Sequence, residues 1–391
     1  MLRRTPLLAA AAILALSGCS LKSDNGGNSQ IESGVKSSSK KAAQQLGFPV
    51  GATRDTTRVS GSDPVADASG VAEALFPGSP ASTRPGVVAL VDKGQWQAAI
   101  AASVLAGEPL HAPLLLSDGG SLPAATSGSL GRLKPRGESL SKGAQVILVG
   151  DKPPAAGGFK SGRVHGKDPF AIAAAVDSFQ TAVVGRPSAK VLVVASDQPA
   201  YAMPAAAWAA QSGDSVLFVT RKSVPGPTVK AIRQHSKPDI FVVGPPTVIS
   251  TAVEDQLRKL GSVKRIESKS PGPVASSAEF ARSKSLWGAD HPGRNFSLAN
   301  ASRPADAAAA GTLGSNGVFA PLLVTDSAGS LPSALEGYFL DTQPGFENND
   351  PSEAVYNQVW ILGDKDAVST GVQARIDRLT ELVPVDRPPH K

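Results

Sequence analysis

Residues 112–123 read APLLLSDGGSLP, and residues 320–332 read APLLVTDSAGSLP. A worn copy, DSVLFVTRKSVP, lies between them at 214–225. Aligned on Leu114, Leu217 and Leu322, the copies stand 103 and 105 residues apart. Solenoid turns repeat roughly every 20–50 residues, so a period this long is a whole folding unit.

Working outward, each copy sits at the same place in a longer order. An Arg-led phrase opens the unit: Arg58-Val-Ser-Gly-Ser-Asp-Pro64, Arg163-Val-His-Gly-Lys-Asp-Pro169 and a degraded Arg265-Ile-Glu-Ser-Lys-Ser-Pro271. The arginines are 105 and 102 residues apart, which matches the period of the leucine phrase. Asp-Pro is a helix-start signal, and apolar residues at helical spacing follow it at 65–76, 170–179 and 274–281. Next come β-branched runs that read as buried strands, VVALV (87–91), VLVVA (191–195) and the weaker NFSLA (295–299). A second Ala-rich helix follows in each unit, with residues small enough to lie close to a sheet. The leucine phrase is the next strand. Ser121-Leu-Pro123, Ser223-Val-Pro225 and Ser330-Leu-Pro332 then predict a helix capped by Ser with Pro in its first turn. QVILVGD (145–151), DIFVVGP (239–245) and QVWILGD (358–364) close the units as strands.

Strand, helix, strand, helix, strand is the order of a parallel sheet with helices on its faces. The expected fold is therefore α/β, three tandem Rossmann/flavodoxin-like units at 55–157, 158–262 and 263–384, with a tail at 385–391. The leucine strands, Leu114, Leu115 and Leu116, Leu217, Phe218 and Val219, Leu322, Leu323 and Val324, are expected to fill the core. Any part in binding would follow from holding the units together.

The units are preceded by MLRRTPLLAAAAILALSGC. Arg3 and Arg4 flank an apolar run of ten residues, too short for a permanent membrane span. The run ends in Leu16-Ser17-Gly18-Cys19, which resembles the lipobox of bacterial lipoproteins. Cys19 is the only cysteine. An exported chain with one cysteine cannot make an internal disulfide, so a lipidated Cys19 fits better than an ordinary secretory signal. The resemblance implies a signal peptide at 1–18 and attachment of acyl chains such as palmitate to Cys19. Stable anchoring takes more than one such chain. Residues 19–54, rich in Ser, Lys, Gly, Asn and Gln, lack the apolar surface to fold and are expected to be a flexible tether. Its reach is roughly 30 Å on average.

The formal net charge is +6, but the leader and the tether to residue 50 hold most of it and leave residues 51–391 at +2. Local asymmetry matters more. Between Thr220 and Lys269 ten basic residues face four acids. Such a stretch suits an anionic polymer or makes a solvated helix face.

In this order the motifs resemble the cell wall-binding repeat 2 family of bacterial surface proteins. Arg58-Val-Ser-Gly61 and Arg163-Val-His-Gly166 match its opening, and Asp306-Ala307 matches the start of its helix in the third copy. Pro113-Leu114-Leu115-Leu116-Ser117 and Pro321-Leu322-Leu323-Val324-Thr325 match its leucine strand. Val149-Gly150, Val243-Gly244 and Leu362-Gly363 match its close. The likeness spans residues 55–384. It implies a pseudo-threefold arrangement with the leucine strands near a shared centre. It also implies non-covalent attachment to anionic wall polymer; the repeated Arg phrase itself makes Arg58, Arg163 and Arg265 candidate contacts beside the basic stretch. Copy two lacks the Pro before its strand, and copy three lacks the opening Gly.

Motifs for other chemistry are missing. The sequence has no G-x-x-x-x-G-K-[ST] phosphate loop and no G-x-S-x-G nucleophile elbow. His111, His165, His235, His291 and His390 do not pair at ligand spacing, so no zinc site, other metal or cofactor is expected. His165, beside the second Arg phrase, reads as a surface residue or as a donor to an anionic group. Asp341, Glu347, Asp350 and Glu353 in the insert 341–357 match no calcium loop and read as surface. The expectation is a non-enzymatic, lipid-anchored envelope protein on the outer face of the cytoplasmic membrane, reaching into the wall. It would bind anionic polymer or act as a scaffold, with no nucleic-acid partner. The alternative is a solute-binding lipoprotein of a transporter, which would show two lobes around a cleft.

Overall fold

The computed structural model describes residues 51–59, 61–347 and 354–385. The expected signal peptide, Cys19, the tether up to residue 50 and the tail from 386 lie outside the described residues.

The class is α/β with mainly parallel sheets. In chain order, β1 is Gly51–Ala52, β2 Thr56–Val59, α1 Pro64–Leu75, β3 Val88–Asp92, α2 Trp96–Ala102, β4 Leu114–Ser117, α3 Ala124–Leu133 and β5 Val146–Val149. Then come β6 Ser161–Val164, α4 Pro169–Val184, β7 Lys190–Ala195, α5 Pro204–Ser212, β8 Ser215–Val219, α6 Gly226–Gln234 and β9 Asp239–Val243. The last part holds α7 Thr251–Arg258, β10 Ser262–Ile266, α8 Pro273–Arg282, β11 Asn295–Asn300, α9 Ala307–Leu313, β12 Leu322–Thr325 and α10 Ser333–Asp341. It finishes with β13 Gly345–Glu347, β14 Gln358–Leu362, α11 Thr370–Thr380 and β15 Val383–Val385.

Three sheets share one order. The first runs β4-β3-β5-β6, the second β8-β7-β9-β10, and the third β12-β11-β14-β2-β1. The Arg-bearing strand that opens each sequence unit does not join that unit's own sheet. β6 pairs with β5, with Arg163 opposite Leu148, and β10 pairs with β9, with Arg265 opposite Val242. β2 crosses the length of the chain to pair with β14, Arg58 opposite Ile361. The helix after each Arg strand, by contrast, packs on its own unit's sheet: α1 on β4, α4 on β8, α8 on β12. Residues 51–54, expected as the end of the tether, take part too. Gly51 and Ala52 pair antiparallel with Arg58 and Thr57.

The local chemistry explains the helix starts. Asp63 accepts from the Ala66 N–H, and Asp168 from those of Phe170 and Ala171, with Pro64 and Pro169 in the first turn. In the third unit Ser270-Pro271 does not cap; α8 starts two residues later at Pro273 behind Gly272. The expected Ser caps after the leucine strands are also displaced. Pro123, Pro225 and Pro332 occupy the cap positions. The serines close the preceding turn instead: Ser121 Oγ donates to the Asp118 carbonyl, Ser223 Oγ pairs with Thr220 Oγ1, and Ser330 Oγ with Ser327 Oγ. A short hydroxyl satisfies a turn as readily as a helix end.

All nine leucine-phrase residues are buried. Strands covered on both faces read as continuous apolar runs. Leu114, Leu116, Leu217, Phe218, Val219, Leu322 and Val324 join one large core, whereas Leu115 and Leu323 point the other way into smaller clusters. Each such side chain stabilises the fold by about 1.5–3 kcal/mol.

The Ala-rich helices α2, α5 and α9, which follow β3, β7 and β11 of the three sheets, touch one another pairwise. Their small residues bring them close to each other as well as to the sheets. A Cβ added to Gly107 would come within 2.1 Å of the Ala210 carbonyl oxygen, one on Gly314 within 2.3 Å of that of Ala207, and one on Gly311 within 2.2 Å of Ser103 Oγ. Each of these three contacts thus has a glycine where no side chain fits.

Candidate functional site

The repeated arginines build the same clasp three times, at the carboxyl end of each sheet. The closing strand turns at a glycine with positive φ: Gly150 (81°), Gly244 (100°) and Gly363 (96°). The glycine N–H donates to the carbonyl of the residue after the arginine, Val164, Ile266 or Val59. The arginine returns a bond to the glycine carbonyl, from Nη1 of Arg163 at 2.7 Å, of Arg265 at 2.7 Å and of Arg58 at 2.9 Å. The turn therefore fixes the guanidinium, and the guanidinium fixes the turn.

The remaining donors differ. Arg163 Nη2 bonds the Pro153 carbonyl at 2.7 Å. Arg265 grips Glu254 through Nε and Nη2 and bonds the Ile249 carbonyl. Arg58 donates from Nε to Gln373 and from Nη1 to the Asp364 carbonyl. Arg58 is 6% exposed, and burial lowers its pKa to about 10, against the raising charges of Asp364 and Asp67. It stays charged at neutral pH. The structure brings each arginine onto a turn, with its main donors spent inside the protein. It brings the leucine strands into sheets, with no side chain of the nine on the surface.

The basic stretch of the second unit is outside. Arg221, Lys222, Lys230, Arg233, Lys237 and Lys269 are all exposed, and none is ion-paired among the described residues. Arg258 is tied to Glu254 and Asp255, and Lys264 to Ser285. His165 is exposed and its Nδ1 lies 2.8 Å from Asp151 Oδ1. In the insert, Asp341 pairs with Arg282. Among the described residues no group of three or more His, Cys, Asp or Glu side chains is placed to hold a metal.

One cluster escaped the sequence reading. Arg303, at the start of the third central helix, pairs with Asp306, Nε to Oδ2 at 2.8 Å, and with Asp67 of α1. Both carboxylates are fully buried. Burial, then the charge of Asp306, holds the Asp67 carboxyl well above the usual carboxylate range. Asp306 was visible as a helix-start residue. Its partner 239 positions earlier was not, because nothing local in the sequence links them. The equivalent positions Gln95 and Gln198 share the backbone conformation of Arg303, with φ of −114°, −126° and −121°. They carry no charge, so the cluster belongs to one seam alone.

Residues 163–254 match the model of cell wall binding domain 2 (CWB2). The likeness covers about a quarter of the chain. The matched stretch begins at the clasp residue Arg163 and ends at Glu254, the carboxylate held by Arg265. It takes in α4, β7, β8, β9 and most of the exposed basic residues. Two solved structures share the fold of the wider body. Cwp6 from Clostridium difficile superposes with a TM-score of 0.66 at 15% identity, over 82% of this chain and 48% of that one. Cwp8 from Clostridium difficile gives 0.64 at 18%, over 84% and 52%. The chain spans about half the length of these proteins. No curated protein matches it in sequence.

Proposed function

We propose that the protein is a non-catalytic cell-surface protein that holds the cell wall through residues 55–384 and is anchored to the membrane by acyl chains on Cys19. The observation that carries the wall-binding part is the CWB2 domain at 163–254. Three sheets joined at central helices also fit this reading better than a transporter's solute-binding protein, which closes two lobes around a cleft. The polymer contact is assigned to the exposed bases of the second unit, Arg221, Lys222, Lys230, Arg233, Lys237 and Lys269. Arg58 and Arg265, and in large part Arg163, act through the clasps that hold the units in place. An anionic chain on such a surface binds through charges screened beyond about 8 Å at physiological ionic strength.

The test is a pull-down of residues 51–391 on purified wall, with and without its anionic polymers, at low and high salt. Binding should fall with polymer removal and with salt, and a K222E/K230E/R233E variant should bind at least ten-fold more weakly. Binding indifferent to all three would overturn the polymer reading. For the anchor, metabolic labelling with a fatty-acid analogue should mark the wild type and leave Cys19→Ala unlabelled.

A further inference from the structure

His235 is the one histidine among the described residues that is fully buried, its side chain 0% exposed. It ends α6. Its Nδ1 lies 2.8 Å from the Ser188 carbonyl oxygen, in the segment leading into β7. Its Nε2 lies 2.8 Å from Oδ1 of Asp177 on α4. A carbonyl oxygen only accepts, and so does a carboxylate. A neutral imidazole has one N–H, so it would leave a bare nitrogen lone pair facing one of the two oxygens. Both contacts are satisfied only when both nitrogens carry protons.

The surroundings favour that charge. Asp177 Oδ1 takes a further bond from Ser215 Oγ of β8 at 2.5 Å, and its Oδ2 has no partner, so the carboxylate depends on the imidazolium for its charge balance. Asp214, held by Trp208 Nε1 at 2.9 Å, adds a second carboxyl nearby. Lys190 of β7 is the cation facing this group and acts on Asp214. Glu108 and Arg186 stand further out, on the rim of a cavity of about 610 Å³ that His235 and Ser215 help line. Burial alone would push the His235 pKa down; the bonds to Asp177 and to the Ser188 carbonyl outweigh it and leave the pKa raised.

We propose that His235 is a proton-dependent latch, an imidazolium that pins the end of α6 to α4 and to the 186–190 segment, and that its loss of a proton loosens this side of the wall-binding unit. The proposal needs neither the polymer nor the anchor. With the folded pKa above the unfolded value near 6.5, the contribution is fully present below pH ~6.5 and is lost as pH rises through the folded pKa.

The direct test is NMR of residues 51–391 labelled at the imidazole carbons, with His111, His165, His291 and His390 changed to Gln so that one signal remains. The His235 signal should be that of an imidazolium at pH 6 and titrate above 6.5. A neutral imidazole at pH 6 would overturn the proposal. In the wild type, amide exchange at 186–190 and 232–237, corrected for intrinsic base catalysis, should rise by up to about ten-fold per pH unit between pH ~6.5 and the folded pKa and level off above it. His235→Gln should show the faster exchange at pH 6 already, with no further rise. A wild-type rate flat from pH 6 to 9 would also overturn it.

Discussion

The seam between the first two units is crossed by the chain itself, which runs from β6 in one sheet to α4 on the next. The seam between the third unit and the first has no such continuity. There β2 reaches β14 from about three hundred residues away, and every link is non-covalent. The clasp geometry is the same at both, yet the closing seam carries more. It adds the β1 strand, Thr53 Oγ1 and the Asp55 N–H on Asp377 Oδ1, the Arg54–Glu381 pair and the buried Arg303–Asp67–Asp306 cluster. Where the chain is continuous, the two sides are already at high effective concentration and a modest clasp suffices. Where it is not, side-chain bonds must hold the strand against loop-closure entropy.

Substitutions at the three clasps should rank by that logic. Arg58→Ala strips the donor from Gln373 and from the carbonyls of Gly363 and Asp364, all in a buried place. We expect a loss of about 3–5 kcal/mol, and protease access to residues 51–75 before the rest. Arg265→Ala leaves Glu254 still held by Arg258, so the loss should be nearer ~2–4 kcal/mol. Arg163→Ala frees two carbonyls at a half-exposed site and should cost about 1–2 kcal/mol. Urea melts of the three variants check the order; an Arg163 effect equal to that of Arg58 would mean chain continuity makes no difference.

A smaller effect separates the closing seam by pH. Burial first, and then the charge of Asp377, raises the Asp55 pKa to about 6. The folded state therefore binds this proton more tightly than the unfolded chain, and the stability it brings fades as pH climbs from about 4 through 6. Asp55→Asn should leave the melting temperature unchanged near pH 3.5 and raise it at pH 7–8. An equal shift at both pH values would point to another cause.

Much of this was legible. The period of the leucine phrase located three β-strands, and the Asp-Pro pairs at 63–64 and 168–169 located two helix starts, because both depend on local spacing and capping. The weaker NFSLA run is a full strand, β11, buried between β12 and β14. What stayed hidden is non-local. The repeated arginine is visible, and so is the repeated glycine, but Arg163 lies 13 residues after its glycine, Arg265 21 residues after its own, and Arg58 far ahead of Gly363. No fixed spacing announces the pair. The exchange of strands between sheets is hidden for the same reason, since an edge strand reads identically whichever sheet receives it. A repeated exposed arginine and a repeated buried one also look alike in sequence. The acceptors around Arg58, Arg163 and Arg265 decide which they are.

β2 closes the third sheet, beside β14. Thr57 stands opposite Trp360 in the parallel register. In residues 51–391, which contain no cysteine, Thr57→Cys with Trp360→Cys should oxidise to an intramolecular disulfide in near-complete yield, read as a single monomeric species by mass and non-reducing electrophoresis. Failure to cross-link, or cross-linking only between molecules, would contradict the closure of the third sheet by the first strand.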